Sequence, residues 1–83
     1  MMELWGADSC VSCVQAKMLM GKTPLEWKYV DVATTGFEGR IPRLVLDDGR
    51  VIVDLGPINN FIKQEIIKQG LDYRPIFRDV LNE

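Results

Sequence analysis

Two cysteines, Cys10 and Cys13, stand two residues apart between a strand-forming run and a helix-forming run, and they are the whole cysteine content of 83 residues. The strand candidate, Glu3-Leu4-Trp5, lies just before the pair, and a helical run begins near Val11. At such a junction two thiols can close a disulfide and reopen it without moving the backbone, which is what thiol–disulfide exchange needs. Other uses of two cysteines fit less well. A closed zinc site takes four ligands, usually two cysteine pairs or one pair with histidines, and the chain has no histidine. Secreted mini-proteins held by disulfides usually carry several bridges behind a signal segment, and none is visible here. A bridge across so short a loop would also constrain the unfolded chain little. Two buried, inert thiols that merely share this spacing remain the plain alternative.

A chain of this length makes one domain, residues 1–83, and buries only about 60 to 65% of its extended surface on folding. With 47% hydrophobic and 27% charged residues a packed core is expected rather than disorder. The net charge of −2 and pI near 5.0 come with scattered lysines and arginines, so neither a nucleic-acid footprint nor a polybasic membrane patch is indicated. No apolar run approaches the roughly 18 residues of a membrane span. Few cysteines, paired for chemistry, point to a reducing compartment, and the expectation is a cytoplasmic monomer.

Along the chain, Met2 to Trp5 reads as a first strand, followed by a turn in which Asp8 or Ser9 can cap the cysteine-bearing helix. Gly21 and Pro24 end that helix, and its Val14 and Met18 read as a core stripe. Leu25 to Val32, rich in Trp, Tyr and Val, reads as a second strand closed by Asp31 and parallel to the first through a right-handed crossover. Ala33 to Arg40 lacks apolar periodicity, so it is a loop with at most one helical turn. Arg43 to Asp47 and Arg50 to Leu55 flank Asp48-Gly49, a strong hairpin signal. Gly56-Pro57 opens a helix whose face is Ile58, Phe61, Ile62, Glu65 and Ile66 and which Gly70 ends. After Pro75, Ile76, Phe77, Val80 and Leu81 recur at helical spacing. The order is β-α-β-loop-β-β-α-α.

Amides at a helix start favour negative charge, which makes Cys10 the nucleophile, and Cys13, a turn deeper, the resolving thiol. Leu4-Trp5-Gly6, Cys10-Val11-Ser12-Cys13-Val14-Gln15-Ala16-Lys17, Ile41-Pro42 and Asp48-Gly49-Arg50 together resemble the glutaredoxin family over about the first 70 residues, the small glutaredoxins and thioredoxins of bacteriophages in particular. The resemblance implies a thioredoxin-like α/β fold with a four-stranded mixed sheet, flanking helices and a central helix that is shortened or lost. It implies a cis Ile41–Pro42 bond beside the dithiol, with the Ile41 backbone free to pair with an extended thiol peptide. It also implies electron transfer from glutathione, through the dithiol, to disulfides of proteins such as ribonucleotide reductase, with no bound cofactor and no metal.

On that resemblance Val11, Ser12, Arg40, Ile41, Pro42 and Asp54 would line the glutathione site, Arg40 or Arg43 facing a carboxylate and Asp54 the γ-glutamyl ammonium. The sequence departs from the family at several of these places. Ala7 stands where a lysine is usual, Ser12 where a tyrosine is, and Arg40 where a threonine precedes the proline pair. Val53, Asp54, Leu55 and Gly56 occupy the stretch of a glycine pair followed by a small residue and Asp. These departures keep open a thioredoxin-like reductant recharged by thioredoxin reductase, a flavoprotein. An iron–sulfur cluster carrier and a non-catalytic peptide-binding module are the alternatives from other classes. Lys17 reads as a solvated charge or a partner of a thiolate, Trp5 and Trp27 as core, and Asp31 as a strand-end cap or a proton acceptor for Cys13.

Overall fold

A computed structural model describes residues 1–76. The alternation of apolar residues and turn signals resolves into β1 (Met2–Gly6), α1 (Val11–Gly21), β2 (Trp27–Asp31), a three-residue 3-10 turn (Val32–Thr34), β3 (Arg43–Val45), β4 (Val51–Val53) and α2 (Leu55–Lys68). The strands form one mixed sheet in the order β2-β1-β3-β4. β1 and β2 are parallel, with Leu4 beside Tyr29 and Gly6 beside Asp31. β1 and β3 are antiparallel, with Leu4 beside Leu44 and Trp5 beside Arg43. β3 and β4 form the hairpin expected around Asp48-Gly49, and Gly49 takes φ 91°, where an L side chain is strained. The Asp48 carboxylate accepts from the Arg50 amide at 3.0 Å and ties the turn.

Both helices cover one face of this sheet. Leu4 and Leu44 at its centre join Ala16, Leu19 and Met20 of α1 and Ile58, Ile62 and Ile66 of α2 in a single buried cluster. Each fully buried aliphatic side chain contributes about 1.5–3 kcal/mol relative to exposure. Because side chains alternate along a strand, the opposite face carries Glu3, Trp5, Lys28, Val30, Arg43, Val45, Val51 and Val53. No described helix covers that face. The segment between β2 and β3 contributes one 3-10 turn and then Phe37, whose ring meets Trp5 edge-on at 5.5 Å and lies 4.9 Å from the Arg43 guanidinium.

Several local expectations are corrected. Val14 and Met18 are 41% and 58% exposed; the buried side of α1 is instead Cys13, Ala16, Leu19 and Met20, since the sheet lies on that side. Trp27 packs against the core as expected, whereas Trp5 sits on the opposite face. The second strand is shorter than Leu25 to Val32, because Asp31 turns the chain by accepting from the Ala33 amide at 3.0 Å. α2 begins at Leu55 rather than at Gly56-Pro57. Asp54 is its N-cap residue, and Pro57, in the first turn, sits where an N–H has no partner to lose. Residues 74–76 are helical and Ile76 packs against the core; Phe77, Val80 and Leu81 lie outside the described residues. No described helix is long and apolar enough to cross a membrane.

Candidate functional site

The cysteine pair stands where β1, an interior strand, ends and α1 begins, at one end of the sheet. Neither Asp8 nor Ser9 caps the helix. Cys10 does so itself, in extended backbone, its Sγ accepting from the Cys13 amide at 3.2 Å and its carbonyl from the Val14 amide at 3.0 Å. An amide that donates to sulfur at a helix start meets one of the helix's unpaired donors with the group best able to carry negative charge there. The Cys10 amide in turn donates to the Ala7 carbonyl at 3.1 Å, closing the turn.

The two thiols are unequal. Cys10 is partly exposed, whereas Cys13 has no exposed surface. Burial pushes the Cys13 thiol up to about 11, the contact with Cys10 adds to the rise, and an amide of Ala7 opposes it. Cys13 therefore stays protonated at neutral pH.

Gly6 makes this packing possible. A Cβ there would lie 2.9 Å from Cys13 Cβ, 3.1 Å from Cys13 Sγ and 3.2 Å from the Tyr29 hydroxyl, so the helix and β2 close on a position that only glycine fills. The antiparallel register, carried one residue past Trp5 and Arg43, sets Pro42 opposite Gly6. The Ile41–Pro42 bond is cis, and Pro42 is fully buried. Its carbonyl accepts from the Asp54 amide at 3.0 Å. The Ile41 main chain joins neither a ladder nor a turn bond among the described residues.

The other expected site residues gather at the same end of the sheet. Val11 is exposed and Ser12 half-buried on the first turn of α1. Arg40 donates to the Asp54 carboxylate at 2.6 Å, so the cation and the acid expected to meet a ligand separately meet each other. Asp54 holds φ 80° and ψ 152°, a region that is essentially glycine's, at a strain of about 1–3 kcal/mol. Arg43 makes no ion pair among the described residues; its Nε is buried without a partner while its guanidinium stacks on Phe37. Asp31 turns toward its own cap rather than the thiols. Lys17 lies over the Tyr29 ring at 4.2 Å from the centroid.

Tyr29 and Phe37 escaped the sequence reading. Alternation along β2 puts Tyr29 on the side of Leu4, but only the parallel register and the absence of a Gly6 side chain bring its hydroxyl to the gap beside Gly6 that Cys13 also borders. A groove of about 310 Å³ lined by Met2, Leu25, Leu46 and Phe61 lies at the other end of the sheet, beside the β-hairpin, and takes no part in this arrangement. Comparison with known proteins finds nothing similar: no family model matches the chain, and neither a curated protein nor a solved structure matches it significantly.

Proposed function

We propose that the protein is a thiol–disulfide oxidoreductase of glutaredoxin type on a thioredoxin-like fold, acting through Cys10 and Cys13. The observation that carries this reading is the asymmetry of the pair: a partly exposed sulfur that caps a helix and accepts an amide hydrogen, with a sealed thiol held protonated behind it. The element order and the mixed sheet are compatible with that fold.

In the forward direction the Cys10 thiolate attacks one sulfur of a substrate disulfide, and the other sulfur leaves with the electron pair. Cys13 then attacks the Cys10 sulfur, forming the Cys10–Cys13 bond and releasing the second substrate thiol. The substrate disulfide gains two electrons and the protein dithiol loses them. An external thiol donor restores the dithiol. The main chain of Ile41, which joins no ladder or turn bond among the described residues and lies next to buried Pro42, suits an extended substrate segment added as a strand.

Glutathione is the donor we favour, with Val11, Ser12, Arg40, Ile41, Pro42 and Asp54 as its contacts. The strained backbone of Asp54, at the stretch where the family pattern has glycines, supports a use for its carboxylate that outweighs the strain. Glutathione would have to displace Asp54 from Arg40, an exposed pair worth only about 0.2–1 kcal/mol. Disulfide-bearing enzymes such as ribonucleotide reductase are the proposed substrates, in a reducing cytoplasm.

The test is turnover of a small mixed disulfide of glutathione, with glutathione and its reductase as donor and, in parallel, thioredoxin reductase. Turnover with glutathione that disappears in Cys10→Ser is expected. Turnover with thioredoxin reductase alone would reassign the donor, and silence with both would overturn the reading.

A further inference from the structure

Cys13 must lose a proton to resolve the mixed disulfide, yet it has no exposed surface through which to lose it. The chemistry proposed above gives it no acceptor. Asp31, the acid the sequence suggests for such a role, is engaged with the Ala33 amide. What borders the thiol is the space left by the missing Gly6 side chain, with Cys13 Sγ 3.1 Å from the point a Cβ would occupy and the Tyr29 hydroxyl 3.2 Å from the same point.

That hydroxyl makes no hydrogen bond among the described residues. It is not sealed either: it is absent from the buried, unpartnered polar atoms, and Tyr29 is only partly buried, so its oxygen keeps contact with water. The Lys17 ammonium lies over its ring, 4.2 Å from the centroid. A phenol hydroxyl both donates and accepts, which suits a group standing between a buried thiol and solvent.

We propose that the Tyr29 hydroxyl carries the Cys13 proton out to water during the resolving step. This rests on the oxidoreductase reading. The thiol proton passes to the Tyr29 oxygen while the phenol proton leaves to water, so Tyr29 ends the step neutral. The freed sulfur attacks Cys10, the Cys10–substrate bond breaks, and the departing substrate sulfur takes a proton from water. No oxidant or reductant beyond the disulfide itself is required. The groups facing the relay are Lys17 from α1, Asp8 from the turn after β1, Asp31 from the end of β2, and Cys10. Burial, then Asp8, Cys13, Asp31 and Cys10, push the Tyr29 phenol up from its ordinary value, so it serves as a neutral relay rather than as a phenolate base.

Tyr29→Phe removes the hydroxyl and keeps the ring beneath Lys17. Reduced protein is mixed with oxidised glutathione, quenched in acid and resolved by mass into mixed disulfide and internal disulfide. The variant is expected to form the mixed disulfide at the wild-type rate and to convert it about tenfold or more slowly near neutral pH, with the deficit shrinking in alkali as Cys13 ionises unaided. Equal conversion, or a deficit that does not change with pH, would overturn the relay. A second readout is free of turnover: in a Cys10→Ser background the Cys13 Cβ carbon shift is followed against pH. Tyr29→Phe should move that titration upward by removing a donor to the thiolate, and an unmoved titration contradicts the proposal. Should the wild type form no adduct at Cys10, the oxidoreductase reading fails, while the Cys13 titration still decides whether the hydroxyl attends the thiol.

Discussion

Replacing Gly6 by alanine places a methyl group 2.9 Å from Cys13 Cβ and 3.1 Å from its Sγ. Carbon atoms in contact prefer about 3.5–4.0 Å, so the overlap is roughly 0.6 to 1 Å. Neither side can yield easily. β1 is held between β2 and β3, and Cys13 belongs to the buried side of α1 with Ala16 and Leu19. Overpacking of this kind costs about 1–3 kcal/mol, and the rigidity of both partners argues for the upper half of that range. In a domain of this size each kcal/mol moves the midpoint by about 4–8 °C, so a fall of about 8–24 °C is expected. Gly21→Ala supplies the control: nothing lies within 4 Å of a Cβ there, its φ is not positive, and it ends α1, so the change should stabilise by about 0.5–1 kcal/mol. Thermal unfolding followed by far-UV circular dichroism measures both. A Gly6→Ala protein that melts within about 2 °C of the wild type would refute the close approach of α1 to β1 on which the site geometry depends.

Further outcomes follow from the same geometry. Cys13 is raised from 9.0 to about 11, so between those pH values the unfolded chain has lost a proton that the folded one retains. Stability should therefore be full below about pH 9 and decline as pH rises to about 11, and urea unfolding should show a weaker decline in Cys13→Ala than in the wild type. At Asp54, glycine relieves about 1–3 kcal/mol of backbone strain at the loss of an exposed ion pair and some added unfolded-state entropy, whereas alanine keeps the strain and loses the pair. Asp54→Gly should thus match or exceed the wild type in urea midpoint and Asp54→Ala should fall below it; the reverse order would remove the case for strain at this residue.

How much of this was legible in the sequence depended on whether a feature is local. The cysteine pair, the Asp48-Gly49 hairpin and the Ile58, Ile62 and Ile66 face of α2 are short-range patterns, and each sits where its pattern indicates. Side-chain preference favours oxygen acceptors and so points to Asp8 or Ser9 as the helix cap, whereas the chain turns one residue later and offers the Cys10 sulfur. Val14 and Met18 are apolar at helical spacing, but which stripe of α1 meets the sheet is decided by the crossover from β1. Trp5 and Trp27 are alike in composition and lie on opposite faces, a distinction that needs the strand register. The Tyr29 hydroxyl, the Gly6 gap and the Arg40–Asp54 pair arise from residues 14 to 23 positions apart or from two packed elements, which no window along the chain displays.

The central claim is that Cys10 and Cys13 form a reversible dithiol, and the most direct measurement is a redox titration of the protein in glutathione buffers, quenched with acid and read by mass and peptide mapping. One two-electron transition is predicted, losing two hydrogens, with the bridge mapped to Cys10 and Cys13 in a single chain and full return to the dithiol on the reducing side. Thiols that stay reduced across the series, or oxidation that yields only adducts and linked chains, would contradict it.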